Sequence, residues 1–460
     1  MLQFYGIMIL ITLVVSIVAD GMTALMAVIC YLVGCAFSIL FMHESKKERR
    51  LYSSLFQIVF FSGLLYASCS YLYMEFKGYS YLLAADVDYY FMPKTISFLD
   101  LDDFGLAMTE NWKSYNLFSG SHEGYFAYII PFAYLCDYLG ADLYFSMQLS
   151  TLLVFGLSSI VIFRLFLLNE FTHQKAFKNT LLICLFSILF FYSSVMLRDI
   201  HIMFTYLLAI YFTFRKDFSF VQLLKLLGVV LVSCTLRIET GLFLFIMIPV
   251  YLLYSLQVSR NKVASILFSF TLSLIGIVAL FLYSNRISSV FMRNSDIYLD
   301  SDKGSGVVGA LQTIPVAGKL LSIIYNAVQP LPLWSKLSPG VSNYRPEAYN
   351  LMTFPMSFAS LFNWVVICVI FIAIVNGKIR KKLAVEINKP LFYNLLIGFV
   401  FLYIQASVIS QRRLMAFYVV YYILFFLILR VISQRDRVTV MFLSVISYFL
   451  IQLLALVYII

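Results

Sequence analysis

The feature that most constrains this chain is the recurrence, from one end to the other, of apolar stretches near twenty residues long. A helix needs roughly 20 mostly apolar residues to cross about 30 Å of hydrocarbon. The runs are continuous and rich in Leu, Ile and Phe; short alternating segments would instead mark a barrel, so helices are expected. Only 12% of the 460 residues are charged, against about 25% in a soluble domain. The reading is an all-α integral membrane protein, one polytopic domain over residues 1–460, with about 13 transmembrane helices. Their starts are expected near residues 4, 22, 52, 143, 178, 199, 220, 238, 264, 356, 391, 413 and 438. The first run, Leu2 to Ala19, has no basic segment before it and another apolar run directly after it, so it reads as a retained helix.

Six of the seven cysteines fall inside apolar stretches, Cys136 being the exception. That pattern means packing, not a disulfide framework or a metal site. Cys-x-x-Cys, His-Glu-x-x-His and phosphate-loop patterns are all missing. No metal, cofactor or nucleic-acid partner is called for.

Lys and Arg orient the helices. Twenty of the 33 basic residues fall on one set of mostly short connections, among them Lys46 to Arg50, Arg164 to Lys178, Lys378 to Lys389 and Arg430 to Arg437. That side is expected to be cytoplasmic. The opposite side receives two long segments, about 75–142 and 285–355. The first opens with an acidic stretch carrying Glu75, Asp86, Asp88, Asp100, Asp102, Asp103, Glu110 and Glu123 against three lysines. The second is mildly basic. Apolar stretches inside both predict short helices at the interface, and Tyr125 to Gly140, apolar but short, is expected to be re-entrant or interfacial.

Arginines in short outer turns break the orientation rule. Arg198 stands in Val-Met-Leu-Arg-Asp-Ile-His, Arg237 in Thr-Leu-Arg-Ile-Glu-Thr-Gly, and Arg412 with Arg413 after Ser-Gln. A charge near the hydrocarbon costs roughly 2.5–3.5 kcal/mol, so these groups need anions. Arg198 with Asp199 and Arg237 with Glu239 could neutralise one another locally. Guanidinium forks also match phosphate oxygens, and lipid phosphates sit at this depth. Membrane lipids, or a lipid-phosphate substrate, are therefore the expected partners. Candidates to accept a proton from an attacking hydroxyl are Asp86 and Asp88 in Ala-Ala-Asp-Val-Asp-Tyr-Tyr, His122 and Glu239. Each of these could equally be an ordinary loop residue. Tyr81, Tyr89, Tyr90, Trp112, Tyr115 and Tyr125 offer faces for stacking on sugar rings, and such residues also belong at any membrane interface.

With its many helices, two long outer segments, and outward arginines in Met-Leu-Arg-Asp, Leu-Arg-Ile-Glu-Thr-Gly and Gln-Arg-Arg, the chain resembles bacterial Wzy-type O-antigen or capsule repeat-unit polymerases, which are similar in design to multi-spanning GT-C-like glycosyltransferases. The resemblance covers most of the chain and rests on architecture. It implies a metal-independent glycosyltransferase of the bacterial inner membrane. The substrate would be an undecaprenyl-pyrophosphate-linked oligosaccharide, and a chain-length regulator protein a further partner. Arg198, Arg237, Arg412 and Arg413 would hold the pyrophosphate, and Asp86, Asp88, His122 or Glu239 would handle the acceptor proton. In the wider class an acidic residue of an early outer loop acts as base or metal ligand; here the Asp86 loop follows the third helix, not the first. Two other functions fit the same chain: transfer of a single sugar from a polyprenyl-phosphate donor, and transport of a lipid-linked sugar between leaflets. Transporters commonly carry paired repeats and midplane charges, whereas these charges cluster at the outer ends.

Overall fold

A computed structural model describes residues 2–40, 46–77, 86–113, 115, 122–214, 220–249, 270, 317–331, 333, 352, 354–405 and 411–459. Among the described residues the backbone is helical almost throughout and contains no strand. Every expected helix whose start lies there begins within two turns of the expected place; the start near 264 lies outside the described residues.

Two compact units emerge. The first comprises Met1–Leu207, Val232–Ile238 and Pro330–Ala359; the second comprises Leu208–Leu231, Glu239–Gln329 and Ser360–Ile460.

The first unit is built on α1 (Leu2–Val18), α2 (Gly21–Leu40), α3 (Lys46–Lys77) and α7 (Leu143–Leu168). Around α7, 78% of the most apolar window is buried in protein. An apolar helix enclosed on all sides has to pack by close approach of small residues. Phe56 of α3 illustrates this: its ring fills the space where a side chain at Gly156 of α7 would stand, a Cβ there falling 2.6 Å from the ring. Gly34 of α2 receives the same ring from another side. Asp20 caps α2 by accepting from the Thr23 backbone N–H and hydroxyl, both at 2.7 Å. The Thr23 oxygen in turn accepts from the Asp142 N–H at 2.7 Å, which ties the start of α2 to the start of α7.

The described part of the long segment between α3 and α7 is a run of short helices. A π-helical turn (Val87–Phe91) leads into α4 (Met92–Leu99), followed by α5 (Phe104–Lys113) and α6 (Glu123–Leu139). The stretch expected to be re-entrant or interfacial is α6, 17 residues long, which buries Tyr125, Phe126, Ile129, Ile130 and Ala133. Gly140 ends it in the left-handed region at φ 65°, a conformation glycine adopts without strain. Beyond α7 come α8 (His173–Phe186), α9 (Ile188–Ser193), α10 (Asp199–Thr213), α11 (Phe220–Leu236) and α12 (Ile238–Phe245).

Further along are α13 (Ala317–Ala327), α14 (Phe354–Val375), α15 (Gly377–Glu386), α16 (Lys389–Gln405), α17 (Gln411–Val431) and α18 (Gln434–Ile459). Within the second unit, buried amides add hydrogen bonds between helices. Asn363 Nδ2 donates to the Ala327 carbonyl at 2.7 Å while its Oδ1 accepts from Tyr422 at 2.7 Å, and Asn394 reaches Thr213 at 3.0 Å. In α18 only 17% of the apolar window is buried, leaving Phe442, Leu443, Phe449, Leu450, Leu453 and Leu454 exposed. An apolar surface of that extent fits contact with lipid.

Among the described residues six helices are long and apolar enough to cross a membrane, and up to seven if α15 and α16, bent by 117° from one another, count as one broken span. Helices α1, α10 and α11 are apolar but 17, 15 and 17 residues long. The architecture is that of an all-α protein with membrane-spanning character.

Candidate functional site

The charged residues singled out from the outer turns of the first unit meet where two helices begin and end. Asp199 is the first residue of α10, and the chain enters it from Arg198. Arg237 occupies the single-residue break between α11 and α12. That break leaves the Leu236 carbonyl outside the regular helical ladder, an acceptor in need of a donor. Arg198 Nη1 supplies it at 2.6 Å.

The ion pair formed here is not the local one. Arg237 Nη2 donates to Asp199 Oδ1 at 2.8 Å, joining residues 38 apart in sequence. The Arg237 side chain is 11% exposed and that of Asp199 is 3% exposed, so the pair is shielded from water on both sides. Adjacent residues on a helix do not face each other, which is why Arg198 with Asp199, the arrangement sequence proximity favoured, gives way to the longer-range pairing.

Arg198 also contacts His122 Nδ1. A guanidinium can only donate, so this hydrogen bond requires Nδ1 without a proton and places the imidazole proton on Nε2. In this geometry His122 is an oriented neutral donor, and accepting a proton at Nδ1 requires Arg198 to move away. The His122 backbone N–H donates to Glu123 Oε2 at 2.8 Å, and Asn111 Nδ2 holds the Glu123 carbonyl at 2.9 Å, so α5 and the start of α6 fix the histidine from behind.

Aromatic rings close the other side. Tyr90 meets the His122 ring edge-on with centroids 4.9 Å apart, and Phe91 lies 5.9 Å away. Burial and then the Glu123 carboxylate hold the Tyr90 phenol above its ordinary pKa, while Arg198 pulls it down. The Lys94 ammonium lies over the rings of Phe126, Phe98 and Tyr90 at 4.9, 5.7 and 5.9 Å, a cation–π arrangement. Lys94 and Glu123 carry no motif; only the position of α4 against α6 brings them to this place.

Asp86 precedes the π-helical turn and is exposed, with no capping hydrogen bond from its side chain. Asp88 lies within that turn, and its side chain is outside the described residues. A helical backbone turns positions two apart to different faces, so residues 86 and 88 do not share a face as they would in an extended segment. Glu239, on the first turn of α12, and Arg412 and Arg413, half-buried on the first turn of α17, belong to the second unit. The site built in the first unit therefore consists of His122, Arg198, Asp199 and Arg237, framed by Glu123, Tyr90 and Lys94. Among the described residues no group of three or more His, Cys, Asp or Glu side chains could hold a metal ion.

No protein-family model, curated protein or solved structure matches this chain.

The arrangement has a definite chemical capacity. It offers a fixed guanidinium, an imidazole N–H, a second guanidinium balanced by a carboxylate, and aromatic faces beside them. Such a set binds an oxyanion through charge-assisted hydrogen bonds and stacks on an adjoining ring.

Proposed function

We propose that this protein polymerises undecaprenyl-pyrophosphate-linked oligosaccharide repeat units at the outer face of a bacterial inner membrane, in O-antigen or capsule synthesis. The reading includes about 13 spans with the two long segments outward. The observation that carries it is the cluster of Arg198, His122, Arg237 and Asp199 at the boundaries of apolar helices. Charge held at such a position is costly unless it serves a ligand or a partner.

In the proposed reaction an acceptor sugar hydroxyl attacks the anomeric carbon of the donor glycan. The new glycosidic C–O bond forms as the bond from that carbon to the pyrophosphate oxygen breaks, and the undecaprenyl pyrophosphate leaves with the electron pair. Arg198 and the His122 Nε2–H meet the negative charge growing on the leaving group, where fixed donors in a dry site are most effective. Arg237, braced by Asp199, adds to the positive field. The acceptor proton passes to a carboxylate, for which Asp86, exposed and four residues before Tyr90, is the candidate among the described side chains. Lipid-linked repeat units are then the substrate, and a chain-length regulator a further partner.

The test is the glycan ladder of cells carrying Arg198→Ala. Loss of long chains with accumulation of lipid-linked single units supports the reading. A product extended by one sugar only, or purified protein that moves lipid-linked sugar between leaflets without lengthening it, refutes it.

A further inference from the structure

Deeper in the first unit, beyond the arginines, lies a group of buried polar atoms that the proposed chemistry does not use. Among the described residues, the Tyr125 hydroxyl on α6, both amide atoms of Gln148 and the Thr151 hydroxyl on α7, and both ring nitrogens of His201 on α10 have no hydrogen-bond partner. Tyr125, Gln148 and Thr151 are fully buried, and His201 is 6% exposed.

These groups are neighbours. The rings of Tyr125 and Tyr128 meet the His201 ring edge-on at 5.1 and 4.7 Å. The Tyr125 hydroxyl faces the Thr151 hydroxyl, and the His201 ring faces the Leu197 backbone, neither approach reaching full hydrogen-bond geometry. Gln148 stands one turn before Thr151 on the same face of α7. Tyr128 is anchored separately, its hydroxyl donating to the Ser150 carbonyl at 2.9 Å.

A buried donor or acceptor left dry costs about 1–3 kcal/mol, and clusters of them in native folds answer to a bound molecule. The chemistry of the cluster selects the molecule. A primary amide, a neutral imidazole and two hydroxyls both donate and accept, and none of them carries charge. The nearby charges are engaged elsewhere, Arg237 with Asp199 and Arg198 with His122 and Leu236. An ion gains nothing here, whereas water, with about three hydrogen bonds per buried molecule, matches the set.

We propose that α6, α7 and α10 enclose an ordered-water site formed by Tyr125, Gln148, Thr151 and His201. His201 follows Arg198 by one helical turn, so this water fastens the first turn of α10 to α6 and α7 and thereby fixes the residues that open α10. The proposal does not depend on the transfer reaction.

Radiolytic hydroxyl-radical footprinting of the full-length protein in nanodiscs tests it, because bound water is converted to radicals in place and oxidises the side chains beside it. Tyr31 and Tyr52 are the controls, since both are fully buried and hydrogen-bonded to protein. Tyr125 and Tyr128 are expected to label at least threefold faster than the controls, and Gln148→Met or His201→Phe to remove the excess at Tyr125. Labelling of Tyr125 and Tyr128 no faster than Tyr31 and Tyr52 overturns the proposal. That comparison uses the unmodified protein, so it holds even if a variant fails to fold.

Discussion

Breaking the Arg237–Asp199 pair is the most informative perturbation. With side chains 11% and 3% exposed, neither partner gains water when the other is removed. Loss of one member of a buried pair costs about 3–5 kcal/mol, because the survivor stays charged without the group that balanced it, whereas replacing both by apolar residues of similar size is often neutral. Arg237→Met and Asp199→Leu are therefore each expected to lower the unfolding temperature by on the order of 10 °C, taking a few degrees per kcal/mol. The double variant should recover most of that loss, a coupling of about 3 kcal/mol. Thermal unfolding of the four proteins in one detergent, followed by tryptophan fluorescence, completes the cycle. Single variants with unchanged stability, or a double variant whose loss equals the sum of the two singles, would refute the claim that these residues act as a buried pair.

Other changes test other parts of the structure. Asp20→Ala removes the cap of α2 and frees the Thr23 hydroxyl that links it to α7 from its own anchor, with an expected loss of about 1 kcal/mol in thermal unfolding. Burial alone would raise the Asp20 pKa, but the hydrogen bonds from Thr23 outweigh it and the net shift is downward. A carboxylate depressed on folding contributes stability above its unfolded pKa and loses it as pH falls through the folded value, so Asp20→Asn should flatten the acid limb of a stability profile below about pH 4. Gly124→Ala places a methyl group 2.0 Å from the Thr235 hydroxyl and 2.9 Å from its carbonyl carbon, so turning the Thr235 side chain away leaves the backbone clash in place; overpacking of about 1–3 kcal/mol should lower the unfolding temperature and weaken function together. Arg412→Ala, with Arg412 expected from sequence to bind lipid phosphate, should shorten the glycan ladder without altering protein abundance, as read by immunoblot of the same membranes.

Much of the helical layout was legible because burial in lipid or protein demands long apolar runs, and punctuation such as Asp20-Gly21, Gly140 through Asp142 and Asn376-Gly377 is chemical and local. Span length was less legible. Phe186-Ser187-Ile188 reads as one continuous apolar stretch, yet the Ser187 side chain accepts from the Leu189 N–H and caps a new helix, splitting the run into 14 and six residues. The candidate site was legible as a set of unusual residues but not as a set of partners. Arg198, His122 and Arg237 stood out because charge is rare beside apolar runs, whereas Asp199 finding Arg237 and Lys94 settling among three rings depend on how α4, α6, α10 and α11 pack. The helical turn at Asp86 and Asp88 was hidden because Asp-x-Asp is compatible with either backbone.

The pairing of Arg237 with Asp199 also bears on how the chain is made. The acid is synthesised 38 residues before its partner, and at about 5–20 residues per second it waits several seconds for an arginine. During that interval α10 opens with a carboxylate whose Arg237 guanidinium has not yet been made, which makes α10 a poor candidate for independent release into lipid. Helices α10 and α11 should leave the insertion machinery together, as a hairpin whose two ends neutralise each other. A nascent chain stalled before residue 237 would then keep α10 at the translocon, and one stalled after α12 would release it.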